Sequence, residues 1–249
     1  MSVRSEPPRA PLRAVFFDVG GTLVRSKAAR WRILHGALLP LGFMVAEADA
    51  NRAYRRLDTE YAGRTFPPER GVEGSRRFWT EYDRSLLSIL TIPYSQKADD
   101  AIQTAFAEFV SRPTGENYEA FPDALPCLLA IRNAGLKTGA ISNADGRLSA
   151  ILRATGLDEQ FDLVVNSSEE RIAKPDPRIF RIALDRLGVH AEESVHVGDL
   201  YHFDVLGARA VGIRPVLIDR GTGESHDDED LSLCEVVRSL DELPVLLGL

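Results

Sequence analysis

Cysteine is scarce in this chain of 249 residues, which contains only Cys127 and Cys234. The two lie far apart in the sequence, and no pair of histidines accompanies either of them. Two such cysteines provide neither a disulfide framework nor the ligand spacing of a zinc site. A reducing compartment is therefore the default, and we expect a cytoplasmic protein.

Long apolar runs and an excess of positive charge are also missing. No stretch approaches the ~20 apolar residues that a helix needs to cross a bilayer. Residues 1–12 are rich in proline and arginine but lack the apolar segment of a signal peptide, so we expect a flexible N-terminal tail. The formal net charge of −7 argues against nucleic acid or a membrane as a partner. Apolar residues make up 44% of the chain, enough for the core of a globular protein.

The middle of the chain is predicted to be helical. A first strand and a glycine turn occupy about 13–24, and no clear strand follows until after residue 112. Pro67, Pro68 and Pro93 interrupt this part, and Pro113 and Gly115 end it. The apolar spacing predicts helices over roughly 28–40, 46–63, 70–91 and 96–111.

From about residue 121 onward, short apolar runs alternate with helical segments. The predicted strands cover 136–142, 161–166, 194–197 and 214–218, with a last one near 236. The predicted helices cover about 122–134, 145–155, 177–187, 202–211 and 240–247. This alternation is typical of βαβ units, so we predict an α/β fold with a Rossmann-like parallel sheet. Residues 13–26 and 113–249 would form this core domain, and 27–112 an inserted α-helical domain.

Asp18 ends the first apolar run, and a turn with two glycines, Gly20 and Gly21, follows it. A buried strand that ends in this way places the acid at the carboxyl edge of the sheet, where open α/β folds bind their ligands. Position 20, two residues after the acid, has no side chain.

Three further polar segments lie at the ends of predicted strands or lead into helices. They are Ser142-Asn143, the Lys-Pro-Asp-Pro sequence that begins at Lys174, and Asp199 with Asp204 five residues later. Because the carboxyl ends of parallel strands meet at one edge, these segments should converge with Asp18.

Two carboxylates that share a small space repel each other unless a cation lies between them. Mg²⁺ fits best, since it takes one or two carboxylates and completes its coordination with waters and a substrate phosphate. Lys174 adds a positive charge, and Ser142 with the neighbouring backbone N–H groups adds donors. Donors and a metal around an anion are what phosphoryl transfer requires.

In chain order and spacing, these four segments resemble the four motifs of the haloacid dehalogenase-like (HAD) hydrolase superfamily. The resemblance covers about residues 14–220, and the sequence from Val197 through Asp204 to Gly212 is similar to the fourth motif of its phosphatases. The helical part after the first motif resembles the α-helical C1 cap of that family. The resemblance implies Mg²⁺ as cofactor and a small phosphorylated metabolite as substrate.

The resemblance also implies a role for each matched acid. Asp18 would be the nucleophile that forms an aspartyl-phosphate. The side chains of Asp18 and Asp199 and the backbone carbonyl of Gly20 would hold Mg²⁺. Asp204 would support the metal site, either from outside the ligand set or as an occasional ligand. Thr22 would brace the turn.

The resemblance further implies that Ser142 and the backbone of Asn143 bind the phosphate group of the substrate. Lys174 would stabilise the charge of the phosphate and orient the nucleophile. Catalysis would thus depend on Asp18 and Lys174 together.

Gly20 departs from the family pattern, because most of its phosphatases carry a second Asp at this position. That Asp protonates the leaving group and later deprotonates the attacking water. Glycine still offers a carbonyl to the metal, but it removes a general acid/base, typically worth about 10²–10⁴-fold in rate.

Three functions therefore remain open. We predict a Mg²⁺-dependent phosphatase that acts through an aspartyl-phosphate, with a better leaving group or another acid in place of the missing Asp. The alternatives are a 2-haloacid dehalogenase, whose chemistry needs no proton donor, and a weakly catalytic protein that binds a phosphoryl ligand. A phosphonoacetaldehyde hydrolase would need a cap lysine, for which only Lys27 and Lys97 are available. The physiological substrate and the oligomeric state do not follow from the sequence.

Overall fold

The computed structural model describes residues 10–61, 75–221 and 229–249 of the chain. Its strands are β1 (Ala14–Phe17), β2 (Val24–Ser26), β3 (Tyr118–Ala120), β4 (Lys137–Ser142), β5 (Leu163–Asn166), β6 (Ser194–Gly198), β7 (Arg214–Ile218) and β8 (Glu235–Val237). Six of these strands form a parallel sheet in the order β5-β4-β1-β6-β7-β8. The predicted parallel α/β core is therefore confirmed.

The helices of the described residues are α1 (Arg30–Leu38), α2 (Glu47–Glu60), α3 (Arg76–Ile89), α4 (Gln96–Ser111), α5 (Thr114–Asn117), α6 (Ala124–Asn133), α7 (Leu148–Ala154), α8 (Ser167–Glu170), α9 (Pro177–Leu187), α10 (Leu206–Arg209) and α11 (Leu243–Leu247). Short 3₁₀ turns cover Leu39–Leu41, Asp158–Gln160, Ala191–Glu193, Leu231–Leu233 and Leu240–Glu242. One π-helical turn covers Tyr201–Val205.

Both faces of the sheet are buried, which explains why its strands read as continuous apolar runs. Side chains alternate along β1, so Val15 and Phe17 pack into the cluster that includes residues of α6, α7 and α11. Phe16 packs on the other face, in the cluster that includes residues of α9. The N-terminal tail that the sequence predicts lies, up to residue 9, outside the described residues, and Leu12 packs against the first cluster.

Helices α1 to α4 bury a separate apolar cluster, which includes Leu34, Leu57, Tyr82 and Ile102. None of its members belongs to the two clusters of the sheet. Two chain segments connect this helical insertion to the sheet, and they pair with each other as the antiparallel ribbon β2–β3. The domain boundaries given above stay a prediction, and the predicted helical segments over 62–74 lie outside the described residues.

Three predicted helices differ from the structure, and one of them, predicted over 240–247, is a 3₁₀ turn followed by α11. The segment predicted as one helix over 202–211 is a π-helical turn followed by α10, and the helix predicted from 145 begins at Leu148. The wide turn has a local cause, since the side chain of Asp204 accepts a hydrogen bond from the backbone N–H of Leu200 at 3.1 Å. Within the described residues, no helix is both long and apolar enough to cross a membrane.

Candidate active site

Asp18 follows the last residue of β1, at the carboxyl edge of the sheet. Its backbone N–H donates to the carbonyl of Val197 on β6 at 2.8 Å, which continues the strand pairing to this residue. The chain then turns back sharply, because the backbone N–H groups of Leu23 and Val24 both donate to the carbonyl of Val19. The turn leaves the Asp18 carboxylate buried, with a side-chain exposure of 10%.

Lys174 is buried between two acids. Its Nζ lies 2.6 Å from Oδ1 of Asp18 and 2.7 Å from Oδ1 of Asp204, and the side chain is 2% exposed. The side chain of Asn143 fixes the backbone of this lysine, accepting from its N–H at 2.7 Å and donating to its carbonyl at 2.9 Å. Lys174 thus contacts Asp18 and Asp204 through its ammonium group and Asn143, just after β4, through its backbone.

Asp204 uses both carboxylate oxygens. Oδ1 lies within hydrogen-bond distance of Lys174 and also of Nε2 of His196, at 2.9 Å, while Oδ2 accepts from the backbone of Leu200. The carboxylate also packs against Gly198, where a side chain carbon would collide with it. Asp204 therefore has a fixed orientation, directed at Lys174.

The two acids differ in their electrostatic environment. Burial is the largest influence on Asp18 and raises its pKa to about 6, an effect that Asp204 strengthens and Lys174 opposes. Burial acts in the same direction on Asp204, but Lys174 and the hydrogen bond from His196 outweigh it and lower its pKa to about 2. Burial alone would lower the pKa of Lys174, yet the two carboxylates hold it above its ordinary value. The charge of Asp18 is thus the less well compensated of the two.

Asp199 lies on the other side of the turn that follows Asp18. Its Oδ1 accepts a hydrogen bond from the Thr22 hydroxyl at 3.2 Å. Its carboxylate also lies so close to Gly21 that a side chain at this position would collide with it, and Gly21 has a φ of +83° that favours glycine. The Thr22 hydroxyl thus holds the Asp199 carboxylate beside the turn.

Ser142 is the last residue of β4 and is buried at the same edge of the sheet. Asn143 follows it directly and is half-buried, and its side chain contacts the backbone of Lys174. All the residues singled out from the sequence therefore lie at one edge, namely Asp18, Gly20, Ser142, Asn143, Lys174, Asp199 and Asp204. The role assigned to each stays a prediction.

Two residues that the sequence pattern does not mark contact the residues of this edge. His196 lies within the apolar strand β6, where a lone histidine is read as core. Arg220 follows β7 and donates to the carbonyl of Thr22 at 2.6 Å, with its guanidinium 3.7 Å from the centre of the Phe121 ring. A histidine inside a buried strand and an arginine just after one are the signals that point to these positions.

No group of three or more His, Cys, Asp or Glu side chains is placed to share a metal ion among the residues that the structure describes. A metal at this edge would have to rely on two carboxylates and on backbone or ligand oxygens. Lys27 and Lys97, the candidates for a Schiff-base lysine, are both exposed.

The family model for haloacid dehalogenase-like hydrolases matches residues 12–212. The chain belongs to this family. The predicted family membership is therefore confirmed, as is the prediction of a hydrolase.

Similar proteins within the family have different activities. The chain is 34% identical to haloacid dehalogenase-like hydrolase domain-containing protein 3 of Danio rerio, over 96% of this chain and 98% of the relative. It is 30% identical to a glyceraldehyde 3-phosphate phosphatase of Methanopyrus kandleri, over 94% and 97% of the two chains. It is 31% identical to (S)-2-haloacid dehalogenase 4A of Burkholderia cepacia, over 95% of each. Overall identity therefore does not separate a phosphatase from a dehalogenase.

A solved structure has a similar fold over most of its length. The crystal structure of a HAD phosphatase from Thermococcus onnurineus has 25% sequence identity and a TM-score of 0.59, covering 95% of this chain and 98% of that one. The HAD-like fold thus extends over nearly the entire chain.

Proposed function

We propose that this hydrolase cleaves small phosphomonoesters, with Asp18 attacking phosphorus to form an aspartyl-phosphate and Mg²⁺ as cofactor. The position of Asp199 carries the proposal, because its carboxylate packs against the turn that follows Asp18 and is held there by Thr22. A second acid at this point serves a metal-assisted phosphoryl transfer, whereas displacement of a halide from carbon requires no metal.

The residues present fit a Mg²⁺ site. Asp18 and Asp199 offer carboxylate oxygens and Gly20 offers a backbone carbonyl, a set that leaves room for waters and a phosphate oxygen. Asp204 has both oxygens engaged by Lys174, His196 and Leu200, which supports a role outside the ligand set. When bound, Mg²⁺ would offset the negative charge of the two acids and of the phosphoryl group.

The side chains of this edge provide the remaining parts of the reaction. Asp18 is the nucleophile, and Lys174 holds one of its oxygens so that the other can approach phosphorus. Ser142 and the backbone N–H of Asn143 bind phosphoryl oxygens as the bond from phosphorus to the leaving oxygen breaks. Water then attacks the aspartyl-phosphate, which releases inorganic phosphate and restores the Asp18 carboxylate. The helical insertion closes over the substrate and favours small metabolites over macromolecules.

Because position 20 is a glycine, the leaving group lacks its usual proton donor. Gly20 is exposed, and a Cβ built on it would meet no other atom within 4 Å, so a longer side chain fits this position. Esters whose leaving group departs without a proton, such as aryl phosphates, should therefore be cleaved faster than alkyl phosphates.

The second candidate is a 2-haloacid dehalogenase, which the absence of an acid at position 20 and the similarity to the Burkholderia enzyme favour. In that reaction Asp18 attacks the carbon that carries the halogen, and the halide leaves with the bonding electron pair. Water then hydrolyses the ester on Asp18. Asp199 would have no part in this chemistry.

One assay separates the functions. Phosphate release from p-nitrophenyl phosphate is measured with Mg²⁺ and with a chelator, beside chloride release from 2-chloropropionate. Metal-dependent phosphate release supports the phosphatase, and chloride release without metal supports the dehalogenase. Release of neither phosphate nor chloride, together with binding of vanadate, supports a protein that only binds a phosphoryl ligand.

A substitution at position 20 sharpens the test. Gly20→Asp should raise the rate on alkyl phosphates by about 10-fold or more and flatten the dependence of rate on leaving-group pKa. Gly20→Asn is the matched control, because it has the same size without the acid. If the wild-type protein already cleaves alkyl and aryl phosphates at equal rates, another residue supplies the proton.

A further inference from the structure

His196 occupies a fully buried position in the middle of β6. Its ring lies edge-on to Phe180, with 5.2 Å between the ring centres and an angle of 89° between the planes. One ring nitrogen, Nε2, is directed at Oδ1 of Asp204, while the other, Nδ1, is buried and has no hydrogen-bond partner. The ring is thus fixed by packing and by a single polar contact.

The surroundings of the two ring nitrogens indicate which nitrogen carries the proton. Asp204 is an acceptor, so Nε2 must be the donor in a hydrogen bond of 2.9 Å. A second proton on Nδ1 would be buried without an acceptor, which carries a large desolvation cost. The geometry therefore selects a neutral ring protonated at Nε2.

The oxygen that accepts from His196 is the same oxygen that holds Lys174. Oδ1 of Asp204 lies 2.7 Å from Nζ of Lys174, and that ammonium group lies 2.6 Å from Asp18. Without the second donor, Oδ1 would carry more negative charge toward Lys174, and the carboxylate could rotate about its bond to Cβ. Both changes would draw the ammonium away from the nucleophile.

We propose that His196 is a positioning residue of the phosphoryl-transfer site, which orients Asp204 so that Lys174 stays on Asp18. This inference rests on the proposed phosphatase function. His196 touches neither the substrate nor the reacting atoms, and it acts through two intervening side chains. Its removal should therefore lower kcat with little change in KM.

Three substitutions separate a hydrogen-bonding role from a packing role. His196→Phe keeps a ring beside Phe180 but has no donor, and His196→Asn has a donor too short to reach Asp204. His196→Gln has an amide nitrogen at nearly the distance of Nε2. We expect kcat on p-nitrophenyl phosphate to fall about 10–100-fold in the Phe and Asn variants, as is typical when a hydrogen-bond partner behind a catalytic group is lost. The Gln variant should recover most of the rate.

Two results would overturn the inference. One is a wild-type kcat in a folded His196→Phe variant, and the other is a loss in His196→Gln as large as in the other two. Melting temperatures are measured for all three variants, since a packing role predicts that activity follows stability instead of the donor.

A second measurement tests the contact between His196 and Asp204 even if the variants do not fold or the wild-type protein releases no phosphate. Nitrogen-15 NMR of the wild-type histidine rings should show His196 neutral and protonated at Nε2. Protonation at Nδ1 would overturn the inference.

The failures of the two proposals can be told apart. Absence of phosphate release by the wild-type protein would contradict the proposed function. An active wild type with an unaffected His196→Phe variant would contradict the role of His196.

Discussion

Asp18 and Asp123 are two buried acids near the same edge of the sheet, and their surroundings differ sharply. Asp123 accepts four hydrogen bonds, two from Arg220 at 3.0 Å, one from the Ser239 hydroxyl at 2.9 Å and one from the backbone of Leu240 at 2.9 Å. Asp18 shares a single ammonium group with a second acid.

The pKa values of the two acids move in opposite directions. Burial would raise the pKa of Asp123, but the hydrogen bonds from Arg220, Leu240 and Ser239 together hold it below its ordinary value. Burial raises the pKa of Asp18 to about 6, since Lys174 and the backbone N–H of Val19 together do not offset it. Under the proposed function, Asp123 is a structural acid whose charge is well supplied with donors, whereas Asp18 is a nucleophile that is buried with fewer of them.

The largest effect is expected when the shared cation is removed. Lys174→Met leaves Asp18 and Asp204 buried together without a counter-charge, so kcat should fall by about 10³-fold or more. The free energy of unfolding should fall by roughly 3–5 kcal/mol. Steady-state kinetics and urea unfolding measure the two effects, with exposed Lys97→Met as control. Near-normal activity in Lys174→Met would show that the lysine has no part in the reaction.

A second test compares the two glycines after Asp18. Gly21→Ala forces a side chain against Asp199 at a φ of +83°, so kcat/KM should fall about 10²-fold, as small displacements of catalytic groups do. Gly20→Ala meets open space and should leave kcat/KM close to the wild-type value. Equal effects at the two positions would contradict the placement of Asp199.

Asp123→Asn tests the structural acid. A lowered pKa means that the ionised group stabilises the fold above its unfolded pKa of about 3.9 and loses this contribution as pH falls through the lowered value. The variant should therefore be about 2 kcal/mol less stable at pH 7. The difference from wild type should shrink below pH 4 in urea unfolding experiments. A difference that does not change with pH would mean that the charge of Asp123 is not what stabilises the fold.

In chelator-treated protein, Asp18→Asn should change the stability of the fold in the opposite direction. Because the folded pKa is raised, ionising Asp18 destabilises the fold, and this penalty grows from about pH 4 and is complete above about pH 6. The variant should thus be up to about 3 kcal/mol more stable than wild type at pH 8 and equal to it below pH 4. Thermal unfolding across this pH range measures the difference. A variant that is less stable at pH 8 would show that Lys174 neutralises Asp18 fully.

Local signals predicted most of the fold. Helix α9 was predictable to the residue. The Asp176 side chain caps its N-terminus by accepting from the backbone N–H of Arg178, Pro177 begins it, and Gly188 ends it with a φ of +66°. The ribbon β2–β3 was not predictable, because each strand has three residues and its partner lies more than 90 residues away in the sequence.

The candidate site likewise contains residues that the sequence predicts and residues that it does not predict. Asp18 and Asp199 follow apolar strands, so the topology of a parallel sheet predicts their convergence. The contacts of His196 and Arg220 depend on side-chain directions across neighbouring strands, which periodicity along one segment does not specify. The π-helical turn that contains Asp204 is likewise accompanied by a hydrogen bond from the backbone N–H of Leu200 to the Asp204 side chain.

The covalent step on Asp18 can be tested directly by rapid acid quench with a phosphorus-32-labelled aryl phosphate and Mg²⁺, followed by peptide mapping. Gly20 offers no base to activate water, so the aspartyl-phosphate should accumulate, with a burst of aryl alcohol release. Label should appear on the peptide that contains Asp18 and be absent from Asp18→Asn. Steady phosphate release with label on any other residue would contradict a nucleophilic role for Asp18.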